Sequence, residues 1–210
     1  MLRRRGAERE RRGTPADLLV VGLANPGAQY EGTRHNVGAE VVQLLADRHG
    51  AALRKSKERA VSDEVVVGGK RLALAIPLTY MNLSGEAVAP LVRRHGIEDL
   101  SQLVIVHDEL DLPVGRMKLK LGGGLAGNNG LKSVKAHLHT ADFARIRIGI
   151  GKPPGRTEGV NHVLKRPSKA DRAELDIVVV EAADAVEAIL EEGFAAAMTR
   201  YNARPTPSSE

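Results

Sequence analysis

The sequence has no cysteine and no tryptophan. Without cysteine there is no disulfide framework, no thiolate zinc site and no thiol nucleophile. Aromatic residues are 2% of the chain, two Phe and three Tyr. Extensive stacking on nucleic-acid bases is thereby excluded, and recognition by shape and phosphate charge is not. No apolar run approaches the roughly 18 residues that a membrane helix needs. A Gly-x-Ser-x-Gly elbow is also missing, so an activated water is favoured over a covalent serine intermediate. The glycine-rich stretch 122–130 lacks Gly-Lys-Ser/Thr, because Lys132-Ser133 follows Gly130-Leu131. A nucleotide phosphate loop is therefore a weak reading, and the glycines are better suited to mobility or close backbone approach.

What is present fits one α/β domain. The 210 residues are 42% hydrophobic and 27% charged, with a net charge of +5. Residues 1–12 hold six Arg against Glu8 and Glu10, so most of the excess charge sits in a tail. Residues 1–16 are expected to be a disordered basic extension, with an RNA-binding arm as the alternative. Residues 17–203 are the expected domain, and 204–210 a flexible Pro/Ser tail. Within the domain, residues 113–156 hold nine basic residues against Asp142. Residues 171–192 hold eight acids against Arg172. Such segregation points to a localised polyanion site, or to charges clustered on a solvated surface.

The periodicities alternate between strand and helix. Residues 18–23 are a continuous apolar run ending in Asn25-Pro26-Gly27, which predicts a buried strand and a turn. Residues 36–48 place Val37, Val41, Leu44 and Leu45 at helical spacing. Residues 61–67 and 71–76 flank Gly68-Gly69-Lys70 as a hairpin. Ser84 is the expected N-cap of a helix over 85–95, with Pro90 kinking it or shortening its first turn. Residues 103–107 form the next buried strand, ending at an acidic loop. Residues 117–121 alternate Met/Leu with Lys, a strand with one basic face. A helix runs from Asn128-Asn129-Gly130 to about His139, a strand covers 144–150, and a long helix starts near Ser168. Strands separated by helices predict a twisted mixed, largely parallel central sheet flanked by helices. Active loops gather at the carboxyl ends of such strands.

Three polar segments meet that description, those of Asn25, Asp108 and residues 77–82. His35, next to the first, sits among polar turn residues and is a candidate general base. The other histidines lie near helix ends, or close an apolar strand at His107, or lack context at His162. Asp108, Glu109 and Asp111 are hard oxygen ligands for a divalent metal, or contain a carboxylate that orients an imidazole, or are a polar loop. Asn25, Asn82 and Asn129 are turn amides able to donate and accept at carbonyls of a substrate.

Five motifs occur in order. They are Gly22-Leu23-Ala24-Asn25-Pro26-Gly27 with Tyr30 and Thr33-Arg34-His35-Asn36; Thr79-Tyr80-Met81-Asn82-Leu83-Ser84-Gly85; His107-Asp108-Glu109-Leu110-Asp111-Leu112-Pro113; Asn128-Asn129-Gly130-Leu131; and Arg145-Ile146-Arg147-Ile148-Gly149-Ile150-Gly151. Together they resemble the bacterial peptidyl-tRNA hydrolase family over residues 18–202. The resemblance implies a monomeric, cytoplasmic, single α/β domain that needs no metal or other cofactor and no membrane. It implies hydrolysis of the ester between a peptide and the tRNA 3′ ribose. It implies His35 as the base that activates water, Asp108 as its partner, and Asn25 as the selector for blocked amino groups. It places Asn82 and Asn129 on the end of the substrate, Tyr30 and Tyr80 along the tRNA-end site, and Lys118, Lys120 and Arg147 opposite acceptor-stem phosphates. One departure stands out. The family's loop usually reads Gly-Gly-His-Asn-Gly, and here Asn128 stands in the place of the His.

Overall fold

The apolar run at the start of the domain forms β1 (Leu18–Gly22), buried at every position. A strand covered on both faces reads as a continuous apolar run rather than an alternating one. The computed structural model describes residues 15–153 and 159–203, so the expected C-terminal tail and most of the N-terminal extension lie outside the described residues. Ala16 is already part of the body, buried, with its backbone N–H donating to His95 at 2.9 Å.

Six further strands join β1: β2 (Arg54–Ser56), β3 (Ala60–Val67), β4 (Lys70–Pro77), β5 (Leu103–Glu109), β6 (Met117–Leu121) and β7 (Ala144–Gly149). They form one sheet in the order β2-β3-β4-β1-β5-β7-β6. The four central strands, β4, β1, β5 and β7, run parallel, and the outer pairs are antiparallel. The hairpin between β3 and β4 pairs Val67 with Lys70, so Gly68 and Gly69 make a two-residue turn. Both have positive φ, 57° and 81°, as a turn matching the sheet twist requires.

Helices cover both faces. Val20, Leu74, Val106 and Ile146 pack against α1 (Val37–His49), α5 (Lys169–Glu192) and α6 (Phe194–Asn202). Leu19, Val21, Ala75 and Ile105 pack against α2 (Gly85–Arg94) and α3 (Asn129–Leu138). A short helix, α4 (Gly159–Val163), precedes α5. Burying each large aliphatic side chain contributes about 1.5–3 kcal/mol, so this two-sided packing fixes the strand ends on which the polar loops stand.

Two details differ from expectation, and two extend it. The strand expected to stop at residue 107 continues through Asp108 and Glu109, which pair with Ile148 and Gly149 of β7. Both acids are buried there because each carboxylate has partners inside the protein. Ser84 does not cap α2; its Oγ donates back to the Met81 carbonyl at 2.8 Å, and Gly85 N–H donates to Ser133 Oγ at 2.9 Å. Pro90 stays inside α2, whose buried Val88 and Leu91 hold it to the sheet across the missing backbone donor. The long helix from residue 168 stops at Gly193, where φ is +87°, and restarts as α6.

Candidate active site

β1 and β5 are parallel neighbours, so their carboxyl ends lie side by side. Asn25 follows the first, and Asp108 is the penultimate residue of the second. His35 sits on a 3-10 turn (Arg34–Asn36) that leads directly into α1. Its Nδ1 lies 2.9 Å from Asp108 Oδ2. The side chains are 13% and 3% exposed, so the pair is shielded but the imidazole is reachable. A carboxylate accepts, so this contact selects the Nδ1–H tautomer of the neutral ring, in which Nε2 keeps its lone pair.

Asn25 is held from both ends. Its Oδ1 accepts from the Met81 backbone N–H at 2.8 Å, which decides the amide orientation and leaves Nδ2 as a donor. Asn36 clamps its backbone, with Oδ1 accepting from Asn25 N–H and Nδ2 donating to the Asn25 carbonyl, both at 2.9 Å. Asn82 stands on a 3-10 turn (Met81–Leu83) and Asn129 begins α3; both side chains are exposed. Asn25, His35, Tyr80, Asn82, Asp108 and Asn129 line one cavity of ≈ 480 Å³. Tyr30 meets Tyr80 edge to face, with ring centroids 6.5 Å apart. The cavity wall is completed on its apolar side by Leu110, Val163 and Leu164.

The acidic residues do not converge on one point. Asp108 faces His35, Glu109 accepts from Arg147 Nε at 3.0 Å and from Asp111 N–H at 3.1 Å, and Asp111 pairs with Lys152. The basic residues form a second feature, apart from the cavity. Lys118 pairs with Arg147 and Lys120 with Arg145 across β6 and β7, all four on the sheet face opposite to Leu119 and Ile146. Lys118 is exposed and Lys120 and Arg147 are half-buried. Arg145 is buried, and its guanidinium donates to the carbonyls of Gly122 and Gly124. Burial pushes it below the ordinary arginine range, aided by the neighbouring Arg147.

A model of the family described as Peptidyl-tRNA hydrolase matches residues 19–209. The chain belongs to the peptidyl-tRNA hydrolase family. A peptidyl-tRNA hydrolase of Rhodococcus erythropolis is 51% identical over 187 residues, covering 88% of this chain and 97% of the relative. One of Pseudarthrobacter chlorophenolicus is 46% identical over 190 residues, covering 90% and 96%. A crystal structure of peptidyl-tRNA hydrolase from Acinetobacter baumannii superposes with a TM-score of 0.85 at 36% identity, covering 91% of this chain and 98% of that one.

In this peptidyl-tRNA hydrolase family member, Asn36 and Arg34, which sequence reasoning did not single out, and Asn128, noted there as the departure from the family's loop, also hold the site together. Asn36 was visible only as the neighbour of His35. Arg34 is buried, donates from Nη1 to the carbonyls of Lys165 and Arg166, and pairs with Asp171 at 2.8 Å. It ties the segment after α4 to the His35 turn, and its partners lie more than 130 residues away, so nothing local announced them. Asn128 caps α3, with Oδ1 accepting from Leu131 N–H at 3.1 Å, and donates from Nδ2 to Asp108 Oδ1 at 3.1 Å. Its signal was an Asn immediately before a helical pattern.

Proposed function

We propose that this member of the peptidyl-tRNA hydrolase family hydrolyses the ester between a peptide, or an N-blocked aminoacyl group, and the 3′ ribose of tRNA, with His35 activating the water. The observation that carries this is the His35–Asp108 contact at 2.9 Å on the wall of a cavity lined by the asparagines Asn25, Asn82, Asn128 and Asn129. His35 Nε2 takes a proton from water as the water oxygen attacks the ester carbonyl carbon. Asp108 stabilises the imidazolium that results. The tetrahedral intermediate collapses by breaking the bond to the ribose oxygen, which receives the proton from His35. The products are the peptide acid and tRNA with a free 3′ hydroxyl.

The amides divide the remaining work. Asn129, with Asn82, contacts the end of the substrate and holds the water, and their N–H groups face the oxyanion as it forms. Asn25 Nδ2 donates to the acyl carbonyl on the substrate's blocked nitrogen. A free α-ammonium brings donors to the same place and is disfavoured. Tyr30 and Tyr80 line the approach of the tRNA end, and Lys118, Lys120 and Arg147 lie along the acceptor-stem phosphates. The enzyme acts as a monomer in the cytoplasm.

The test is release of N-acetyl-amino acid from N-acetyl-aminoacyl-tRNA, with free aminoacyl-tRNA as the competing substrate. Wild type is expected to turn over the blocked substrate and to discriminate strongly against the free one. Asn25→Asp keeps an acceptor for Met81 N–H but presents a carboxylate where Nδ2 stood, so the preference should shrink by about tenfold or more. No turnover of the blocked substrate, or an unchanged preference in the variant, contradicts the reading.

A further inference from the structure

Asp108 is 4% exposed, and each of its carboxylate oxygens has one side-chain donor. His35 Nδ1 meets Oδ2 at 2.9 Å, and Asn128 Nδ2 meets Oδ1 at 3.1 Å. The Asn128 amide cannot be turned over without loss, because its own oxygen caps α3. Its backbone is fixed as well. Asn128 N–H donates to the Leu125 carbonyl at 2.9 Å, and Lys132 N–H donates to the Asn128 carbonyl at 3.1 Å. The first turn of α3 is wedged into the core. A Cβ on Gly130 would come within 2.6 Å of Met81 Sδ and 2.7 Å of Leu23 Cδ1, so the helix start has no room to slide.

We propose that Asn128 is a positioning residue for ester hydrolysis, acting through Asp108 and resting on the His35–Asp108 reading above. One planar amide reads the first turn of α3 with its oxygen and sets the plane of the Asp108 carboxylate with its nitrogen. Oδ2 is thereby kept on His35 Nδ1. Without the Nδ2–H donor, Oδ1 is a buried charged acceptor with no partner, and the carboxylate is free to rotate about Cβ–Cγ. The donor is neutral. It holds the carboxylate without supplying a cation that competes with the imidazolium for the Asp108 charge. Asn in place of the family's usual His thus keeps a donor here and removes a titratable group.

The two roles of Asn128 separate by substitution. Ser at this position retains an oxygen for the α3 N-cap but is too short to reach Asp108; Ala retains neither. The assay is steady-state turnover of N-acetyl-aminoacyl-tRNA, with urea midpoints for stability. Asn128→Ser is expected to lower kcat by about tenfold or more, with KM within about twofold and a urea midpoint below wild type, because Asp108 Oδ1 loses its donor, but above that of Asn128→Ala. Asn128→Ala is expected to lose a similar factor in kcat and to be less stable. In an Asp108→Ala background, Asn128→Ser should change kcat by less than about twofold, because the residue acts through that carboxylate. Wild-type kcat in Asn128→Ser, or the same loss with and without Asp108, overturns the proposal and leaves the His35–Asp108 reading standing. Wild-type kcat in Asp108→Ala overturns that reading, and this proposal with it.

Discussion

His107, one residue before the candidate catalytic carboxylate, has no exposed surface. Its Nδ1 donates to the Asp108 carbonyl at 2.7 Å, and its Nε2 is buried without a hydrogen-bond partner. Burial pushes the imidazole below its ordinary value of 6.5, against the pull of the Asp108 charge. His95 is pushed the same way by burial, opposed by Glu64. Above pH 6.5 both rings are neutral in the folded and the unfolded chain. Below it the unfolded chain takes up protons that the folded one resists, so stability is lost as the pH falls. Urea midpoints at pH 8 and pH 5 should therefore differ, with the acid value lower. Asn at position 107 keeps a donor for the Asp108 carbonyl and removes one titration, so His107→Asn should narrow that difference. An unchanged difference in His107→Asn contradicts the assignment.

At the scale of elements, the site depends on how closely α1 approaches the strands beneath it. A Cβ on Gly38 would lie 2.3 Å from the Val106 carbonyl oxygen, and one on Gly22 would lie 2.2 Å from the Gly38 oxygen. Both obstacles are backbone, so an alanine forces the start of α1 off β1 and β5. Gly38→Ala should cost about 1–3 kcal/mol of stability and lower kcat, because the His35 turn moves with the helix. Gly124 has nothing within 4 Å and no positive φ, so Gly124→Ala should be close to neutral. Equal stability of Gly38→Ala and wild type in urea contradicts the close-approach account. Elements of this kind were legible where a pattern is long or a turn is chemically specific: the run at residues 18–23, the Gly68-Gly69 hairpin, the stripe of α5. Those that were not legible depend on distant partners. Asp108 and Glu109 look like loop residues until His35 and Arg147 are across from them. Arg54–Ser56 is too short to show alternation, and its place in the sheet comes from β3. The polar residues that line the cavity were recognisable as types in turns. Their hydrogen bonds were not, since Asn25 to Met81 and Asn128 to Asp108 are contacts of the folded chain.

Across the whole molecule, charge is sorted onto the two faces of the sheet. α5 carries acids on the same side as α1, where Asp171, Asp176, Asp184 and Glu187 are taken up by Arg34, Arg172 and Arg48. Lys118, Lys120 and Arg147 project from the opposite face of β6 and β7. Arg147 joins the two functional features through Glu109, which also lines the cavity. No helix among the described residues is long and apolar enough to cross a membrane. In the proposed function, the tRNA phosphate backbone lies along these basic strands and its 3′ end reaches the cavity at the strand ends. KM for N-acetyl-aminoacyl-tRNA should then rise with salt as counterions compete. Replacing Lys118 and Lys120 together with Ala should raise KM and flatten the logarithmic salt slope by about one to two, with kcat little changed. An unaltered slope contradicts a phosphate role for this face. The proposed hydrolysis turns on His35 activating the water. The most direct test is kcat of His35→Ala on saturating N-acetyl-aminoacyl-tRNA, beside wild type. The expected result is a loss of at least about 100-fold in a folded protein; turnover at the wild-type rate would contradict it.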